Sequence, residues 1–219
     1  MSAVVRIFIR ALLAVGVFAV LIASVCFCWF YFYSGDLPHF SELAALAPNS
    51  AATVPDRCSG TPIQVIPSAS VGKNLRNALR AAESLNDEVL ALQVSRNLFC
   101  NSQMRMLRGD LLEYKAAVQM RRRFTPEQLV TIYLNQSPFG QDLIGAESAS
   151  LHYYGKHASE LDIAQAAMIA GLLKSPIRYS PERHPERAKE RRDSVIQRML
   201  SSGTITAEQA EAAEQSAVR

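Results

Sequence analysis

From Ala11 to Tyr33 no residue carries a charge, and only Gly16 and Ser24 interrupt a run of apolar types. A helix needs about 20 such residues to cross the hydrocarbon core of a bilayer, so this stretch predicts a transmembrane helix rather than a core element. A cleaved signal would have a shorter apolar region ending in a small-x-small site; here the chain turns bulky after Val25, through Phe27, Trp29, Phe30, Tyr31, Phe32 and Tyr33. Those aromatics suit an interfacial belt. Arg6 and Arg10 precede the span and Asp36 follows it, which places the N-terminus in the cytoplasm and everything after about Ser34 outside.

The remainder of a 219-residue chain suffices for one domain. Hydrophobic residues make up 49% and charged residues 20%, a balance that buries a core and is neither disordered nor low-complexity. The formal charge is +3, from 23 Lys and Arg against 20 Asp and Glu, and Arg6 and Arg10 supply two of those cations. The rest is nearly balanced, which argues against a general nucleic-acid-binding protein. Cys26 and Cys28 fall within the span, leaving Cys58 and Cys100 as the thiols of the exported part. An oxidising compartment favours a disulfide between them, and closing that loop stabilises by roughly 4 kcal/mol on a chain-entropy estimate.

The predicted organisation is a cytoplasmic tail at 1–10, the span at 11–33, a stalk at 34–60 marked by Pro38, Pro48 and Pro55, and a domain at 61–219. Ile63 to Ile66 reads as a short strand. Beyond it the periodicity is helical: Leu75, Ala78, Leu79 and Ala82, then Leu90, Val94 and Leu98, then Leu107, Leu111, Tyr114 and Val118. Thr125-Pro126-Glu127-Gln128 carries a capping box with proline in the first turn, and predicts a helix burying Leu129, Ile132 and Tyr133. Asp162 and Gln165 repeat the box before Ile163 to Leu173, an all-round apolar stretch that reaches only about 16 Å as a helix and so belongs in a core. A charged helix burying Ala188, Val195, Ile196 and Met199 and a capped helix after Thr206 complete the domain. The fold class is mainly α: one N-terminal transmembrane helix and an all-helical domain.

Among titratable groups Glu113 stands out. Its helical neighbours are Met106, Gly109, Ala116, Ala117 and Met120, so it has no local cation and is either satisfied by a distant arginine or kept for proton transfer. Glu83 ends the first amphipathic helix, where Arg80 offers an ordinary surface pair. Arg121, Arg122 and Arg123 form a basic helix end, and Arg187, Lys189, Arg191 and Arg192 a second basic run diluted by Glu186 and Glu190. His152, Tyr153 and Tyr154 read as packing. No P-loop, Ser-His-Asp order, dinucleotide fingerprint or metal-ligand spacing is present.

Taken in order, the pieces Gln128 to Asn135, Phe139-Gly140, Gly145, Glu147, Tyr154-Gly155-Lys156, Ala166-Ala167 to Gly171-Leu172, Tyr179-Ser180-Pro181, His184-Pro185-Glu186 and Arg191-Arg192 with Val195-Ile196 resemble the family 51 glycosyltransferases. These are the transglycosylase domains of class A penicillin-binding proteins and of monofunctional peptidoglycan polymerases. The resemblance covers about residues 73 to 201 and implies a lysozyme-like helical domain with Glu83 and Glu113 at the family's two catalytic glutamates. It also implies substrate contacts by Gln93, Arg121, Arg122, Arg123, Asn135, Lys156, Arg191 and Arg192. The first part departs from the pattern: Ser84 follows Glu83 where the family has Asp, Asn86 stands where a Gly-Gly-Ser-Thr-Ile-Thr-Gln-Gln motif begins, and Gly109-Asp110 replace an Arg-Lys pair. After Arg192 too few residues remain for a penicillin-binding domain.

The implied activity is polymerisation of lipid II into glycan strands at the bacterial inner membrane, with the domain in the periplasm. A glutamate takes the proton of the acceptor hydroxyl, and cationic groups or a divalent metal, Mg or Mn, stabilise the departing undecaprenyl pyrophosphate. Two further readings are a non-catalytic lipid II-binding or scaffolding partner of other cell-wall synthesis proteins, and a glycan hydrolase, since two carboxylates also serve hydrolysis.

Overall fold

The computed structural model describes residues 3–33, 43–48, 52–55, 62–83, 86–98, 107–140 and 143–217. Helix α1 (Ala3–Tyr33) contains the apolar stretch Ile9–Phe30, whose mean hydropathy is 2.7 and none of which is buried. It is long and apolar enough to cross a membrane. A hairpin of β1 (Ala52–Pro55) and β2 (Pro62–Val65) follows, antiparallel with Ala52 opposite Val65 and Val54 opposite Ile63. Strand β2 realises the strand expected around Ile63. The stretch 34–60 is not merely a stalk, because β1 lies in it and Leu43 and Leu46 are buried with the core. Two leucines three residues apart and one four-residue strand are too few to display a helical or alternating period, which is why the sequence reads as linker there.

The helices then pack in two groups. In the first, α2 (Lys73–Glu83) buries Leu75, Ala78, Leu79 and Ala82, the expected stripe, against α7 (Ile163–Leu172) and α8 (Pro185–Ser201). Helix α7 is the centre: Ala164 and every residue from Ala166 to Leu172 are buried, and its small side chains let neighbouring helices approach closely. In the second, α3 (Asp87–Leu98) packs on α4 (Leu107–Arg123) and α5 (Pro126–Gln136). A second two-stranded pair, β3 (Pro138–Gly140) and β4 (Leu143–Ile144), leads into α6 (Ala146–Tyr154), and α9 (Ala207–Gln215) closes against α8. These short strands qualify the all-helical expectation without changing the class.

The capping boxes are formed as the sequence predicts. Gln128 N–H donates to Thr125 Oγ1 at 3.3 Å while Thr125 N–H donates to Gln128 Oε1 at 2.9 Å, and Asp162 with Gln165 and Thr206 with Gln209 repeat the exchange. Each box satisfies amides that a helix start otherwise leaves unpaired.

Two residues expected to touch substrate are buried and hydrogen-bonded within the fold. Asn135 is fully buried; its Oδ1 accepts from Ile66 N–H at 3.1 Å, and its Nδ2 donates to the carbonyls of Leu46 at 2.8 Å and Ile66 at 2.9 Å. One amide thus binds β2 and the Leu43–Leu46 segment to α5. Arg192 is buried as well, donating to Asp193 Oδ1 and to the carbonyls of Ser216 at 2.7 Å and Glu214 at 2.9 Å, so it clasps the end of α9. The proposed bridge between Cys58 and Cys100 lies outside the described residues, and Cys26 and Cys28 are free.

Truncating Asn135 to Ala strands three buried backbone groups, each costing about 1–3 kcal/mol when left unsatisfied. Urea unfolding of the detergent-solubilised chain is expected to register a loss of at least ~2 kcal/mol; a change within error would show that Asn135 is no clasp.

Candidate active site at the end of α2

The last turn of a helix presents carbonyls without intrahelical partners, and arginines are suited to meet them. At the end of α2 two do so. Ala82 O accepts from Arg191 Nη2 at 3.1 Å and from Arg198 Nη1 at 2.9 Å. Both come from one face of α8, two helical turns apart. Arg191 also donates through Nε to Gly171 O at 3.4 Å and lies over the Tyr179 ring, 6.0 Å from its centroid. A Cβ on Gly171 would stand 3.1 Å from Arg191 Cγ, so glycine there lets α8 settle on α7 with the arginine between them.

Glu83 is the last residue of α2 and its carboxylate lies among these cations. Its Oε1 is 3.6 Å from Arg191 Nη2, an ion pair beyond hydrogen-bonding distance, and among the described residues that buried oxygen has no hydrogen-bond partner. The surface pair with Arg80 expected from spacing is replaced by this long-range one. Burial pushes the Glu83 carboxyl above its usual range, opposed by the charges of Arg191, Lys174 and Arg198. Tyr133, from α5, is buried next to it: burial and the charge of Glu83 push the phenol up to about 12. A carboxylate with an unpartnered oxygen and a raised affinity for protons can accept one from a hydroxyl placed before it.

Glu113, on α4, has the distant cation left open by its sequence setting. Arg96 Nε from α3 approaches its Oε2 at 3.2 Å. Among the described residues no ion pair or hydrogen bond joins Glu113 to Glu83. The two are related through the end of α5: Tyr133 adjoins Glu83, while Gln136 donates to Val94 O at 3.2 Å and Ser137 accepts from Asn97 at 3.2 Å, holding the helix that carries Arg96.

Gln93 is half-buried on α3, Arg121, Arg122 and Arg123 lie exposed in the last turn of α4, and Lys156 is exposed after α6 with its Nζ 3.4 Å from Gln165 Oε1. Lys174, Arg198, Tyr133 and Tyr179 were not anticipated as site residues. Only the seven-residue spacing of Arg191 and Arg198 on a helix signalled in advance that both could reach one point. Among the described residues a divalent ion finds no donor set at Glu83, whose charged neighbours there are cations, or at Glu113, whose partner is an arginine.

The family model described as Transglycosylase matches residues 89–200. Penicillin-binding protein 1A of Aquifex aeolicus is 41% identical over 121 residues, covering 55% of this chain and 16% of the relative. Penicillin-binding protein 1A of Rickettsia felis is 31% identical, covering 90% of this chain and 30% of the relative. The crystal structure of penicillin-binding protein 1A from Haemophilus influenzae superposes with a TM-score of 0.50 at 23% identity over 78% of this chain and 21% of that one. The chain therefore spans less than a third of the length of these relatives.

Arg198→Gln removes one of the charges that lower the Glu83 carboxyl, so its titration moves further upward. Carboxyl ¹³C resonances followed through a pH series on the labelled chain test this, and an unmoved or lowered midpoint would separate Arg198 from Glu83.

Proposed function

The chain belongs to the transglycosylase family, and on that premise we propose that it is a membrane-anchored peptidoglycan glycosyltransferase that polymerises lipid II. The observation that carries the reading is Glu83: a half-buried carboxylate with a raised proton affinity, set among cations at a helix end, whose buried Oε1 has no hydrogen-bond partner among the described residues. In the reaction, Glu83 takes the proton of the acceptor sugar hydroxyl as that oxygen forms its bond to the anomeric carbon of the donor. The bond from that carbon to the pyrophosphate oxygen breaks, with inversion, and undecaprenyl pyrophosphate leaves. Lys174, exposed beside Glu83, is the cation available to the departing anion, since Arg191 and Arg198 are engaged with Ala82 O. Glu113 with Arg96 supports the reaction from α4 as a fixed ion pair rather than as a second base.

The apolar helix α1 supplies the anchor for a substrate that itself resides in the membrane, so enzyme and lipid search one surface. We place the N-terminus in the cytoplasm and the domain in the periplasm. A reporter fused after Arg219 is expected to be active only in its periplasmic form, and cytoplasmic activity would reverse the topology.

A second reading, a non-catalytic lipid II-binding or scaffolding relative, draws on a specific feature. The matched segment 89–200 begins after Glu83, and Arg191 and Arg192, expected to face the pyrophosphate, are buried in the fold. Purified lipid II distinguishes the two. Polymer should form with the full chain, its rate rising with pH through a midpoint above the ordinary carboxylate range as Glu83 gives up its proton. Glu83→Gln should lower turnover by about 10²-fold or more while lipid II still binds. Binding without polymer from the wild-type chain establishes the scaffold, and an unaffected rate in Glu83→Gln removes the base from this assignment.

A further inference from the structure

At the opposite end of α2 from Glu83, about 16 Å away along the helix at 1.5 Å per residue, lies a cavity of about 550 Å³. It is bounded by the β1–β2 hairpin, by Ser70 before α2, and by the loop between α6 and α7. That volume falls within the ~300–1,000 Å³ of small-molecule sites. Its walls are set by backbone contacts only glycine permits. A Cβ on Gly72 would stand 3.0 Å from the carbonyls of Ala158 and Ser159, and one on Gly145, at φ 90°, would stand 3.2 Å from Asn135 O and 3.4 Å from Gln64 O. The shape is formed before a ligand arrives, which removes ordering cost from binding.

A polar pair lies within it. Glu147, its side chain only 9% exposed, accepts from Ala158 N–H at 2.9 Å through Oε2, and its Oε1 lies 2.6 Å from His157 Nδ1. This fixes the imidazole and turns Nε2 outward on a side chain that is 66% exposed. Thr53, Ser70 and Ser159 add hydroxyls and Gln64 an amide, while Val65, Ile66 and Pro67 supply an apolar wall.

These groups select a ligand class. Glu147 and Glu160, whose Oε2 accepts from His157 N–H at 3.1 Å, together outweigh the single imidazole, so an anion gains little. A cation meets an imidazole held by Glu147, whose oxygens are both engaged. A peptide extended past the end of β2 would find the Ile66 N–H already held by Asn135. Hydroxyl groups that both donate and accept match sugar hydroxyls, which do the same, and an acetamido group offers its N–H to the imidazole Nε2, whose partner nitrogen Nδ1 faces Glu147, and its methyl to the apolar wall.

We propose that this cavity is a second saccharide site, binding an uncharged N-acetylated sugar through the His157–Glu147 pair at the end of α2 remote from Glu83. It rests on the glycan chemistry of the function proposed above, but binding there is read without turnover, so the two can fail separately.

The full chain in detergent micelles, with ¹⁵N-labelled histidine, is titrated with N,N′-diacetylchitobiose, with cellobiose, and with N-acetylalaninamide as an uncharged peptide amide. Diacetylchitobiose is expected to move the His157 imidazole signals saturably, at a concentration at least about tenfold below the other two probes, and equally in Glu83→Gln. Calorimetry with the same sugar should find affinity reduced about tenfold or more in Glu147→Gln, the equivalent of one hydrogen bond. His157→Gln, at an exposed position that leaves Ala158 N–H on Glu147, should show the same loss while retaining the wild-type rate of lipid II polymerisation. Absence of a saturable shift, an equal response to the peptide amide, undiminished affinity in His157→Gln, or loss of binding in Glu83→Gln would each overturn the proposal.

Discussion

The carbonyl of Ala82 receives two guanidinium groups from α8, and much of the domain is arranged by that junction. It terminates α2, docks α8 across it, and sets the charge environment in which Glu83 must ionise. Arg191 fits only because Gly171 leaves room on α7, so the small-residue face of the central helix and the electrostatics of the carboxylate are one design problem. Burying Arg191 without its two carbonyl acceptors and the Glu83 charge would cost several kcal/mol, and with them it links α2, α7 and α8 at a single point.

The same logic of one side chain meeting several backbone groups recurs at the two other seams. Asn135 joins the hairpin and the Leu43–Leu46 segment to α5, and Arg192 joins α9 to α8. In each case the polar group is buried and its hydrogen-bonding capacity is engaged, which makes the seam specific in register as well as stable. Residues of this kind look like ligand contacts in a linear motif because they are polar and lie in the best-matched segments. Their positions in space assign them to the frame of the site.

Local interactions were legible in the sequence. The three capping boxes, the stripe on α2, strand β2 and the core assignment of α7 follow from spacings of two to four residues, which the chain displays directly. The sequence marks Glu83 and Glu113 but not their partners: Arg191 lies more than a hundred residues from Glu83 in sequence, and Arg96 reaches Glu113 from another helix. Leu43, Leu46 and β1 were missed for a related reason. A segment with two leucines three apart and one short strand is too short to display a period, and its hydrogen bonds run to residues the sequence places far away.

The burial of Leu43 also changes the mechanics of attachment. Had the whole of 34–60 been free tether, the domain could have ranged some 90 Å from the end of α1 at ~3.3–3.6 Å per residue. With Leu43 fixed in the core, ten residue steps separate Tyr33 from the globule, a ceiling of about 35 Å. If α1 spans a bilayer, the leash is no longer than a small domain is wide. The domain then cannot work at a distance from the lipid surface, and under the proposed function the growing glycan would move outward while the domain stays at the bilayer.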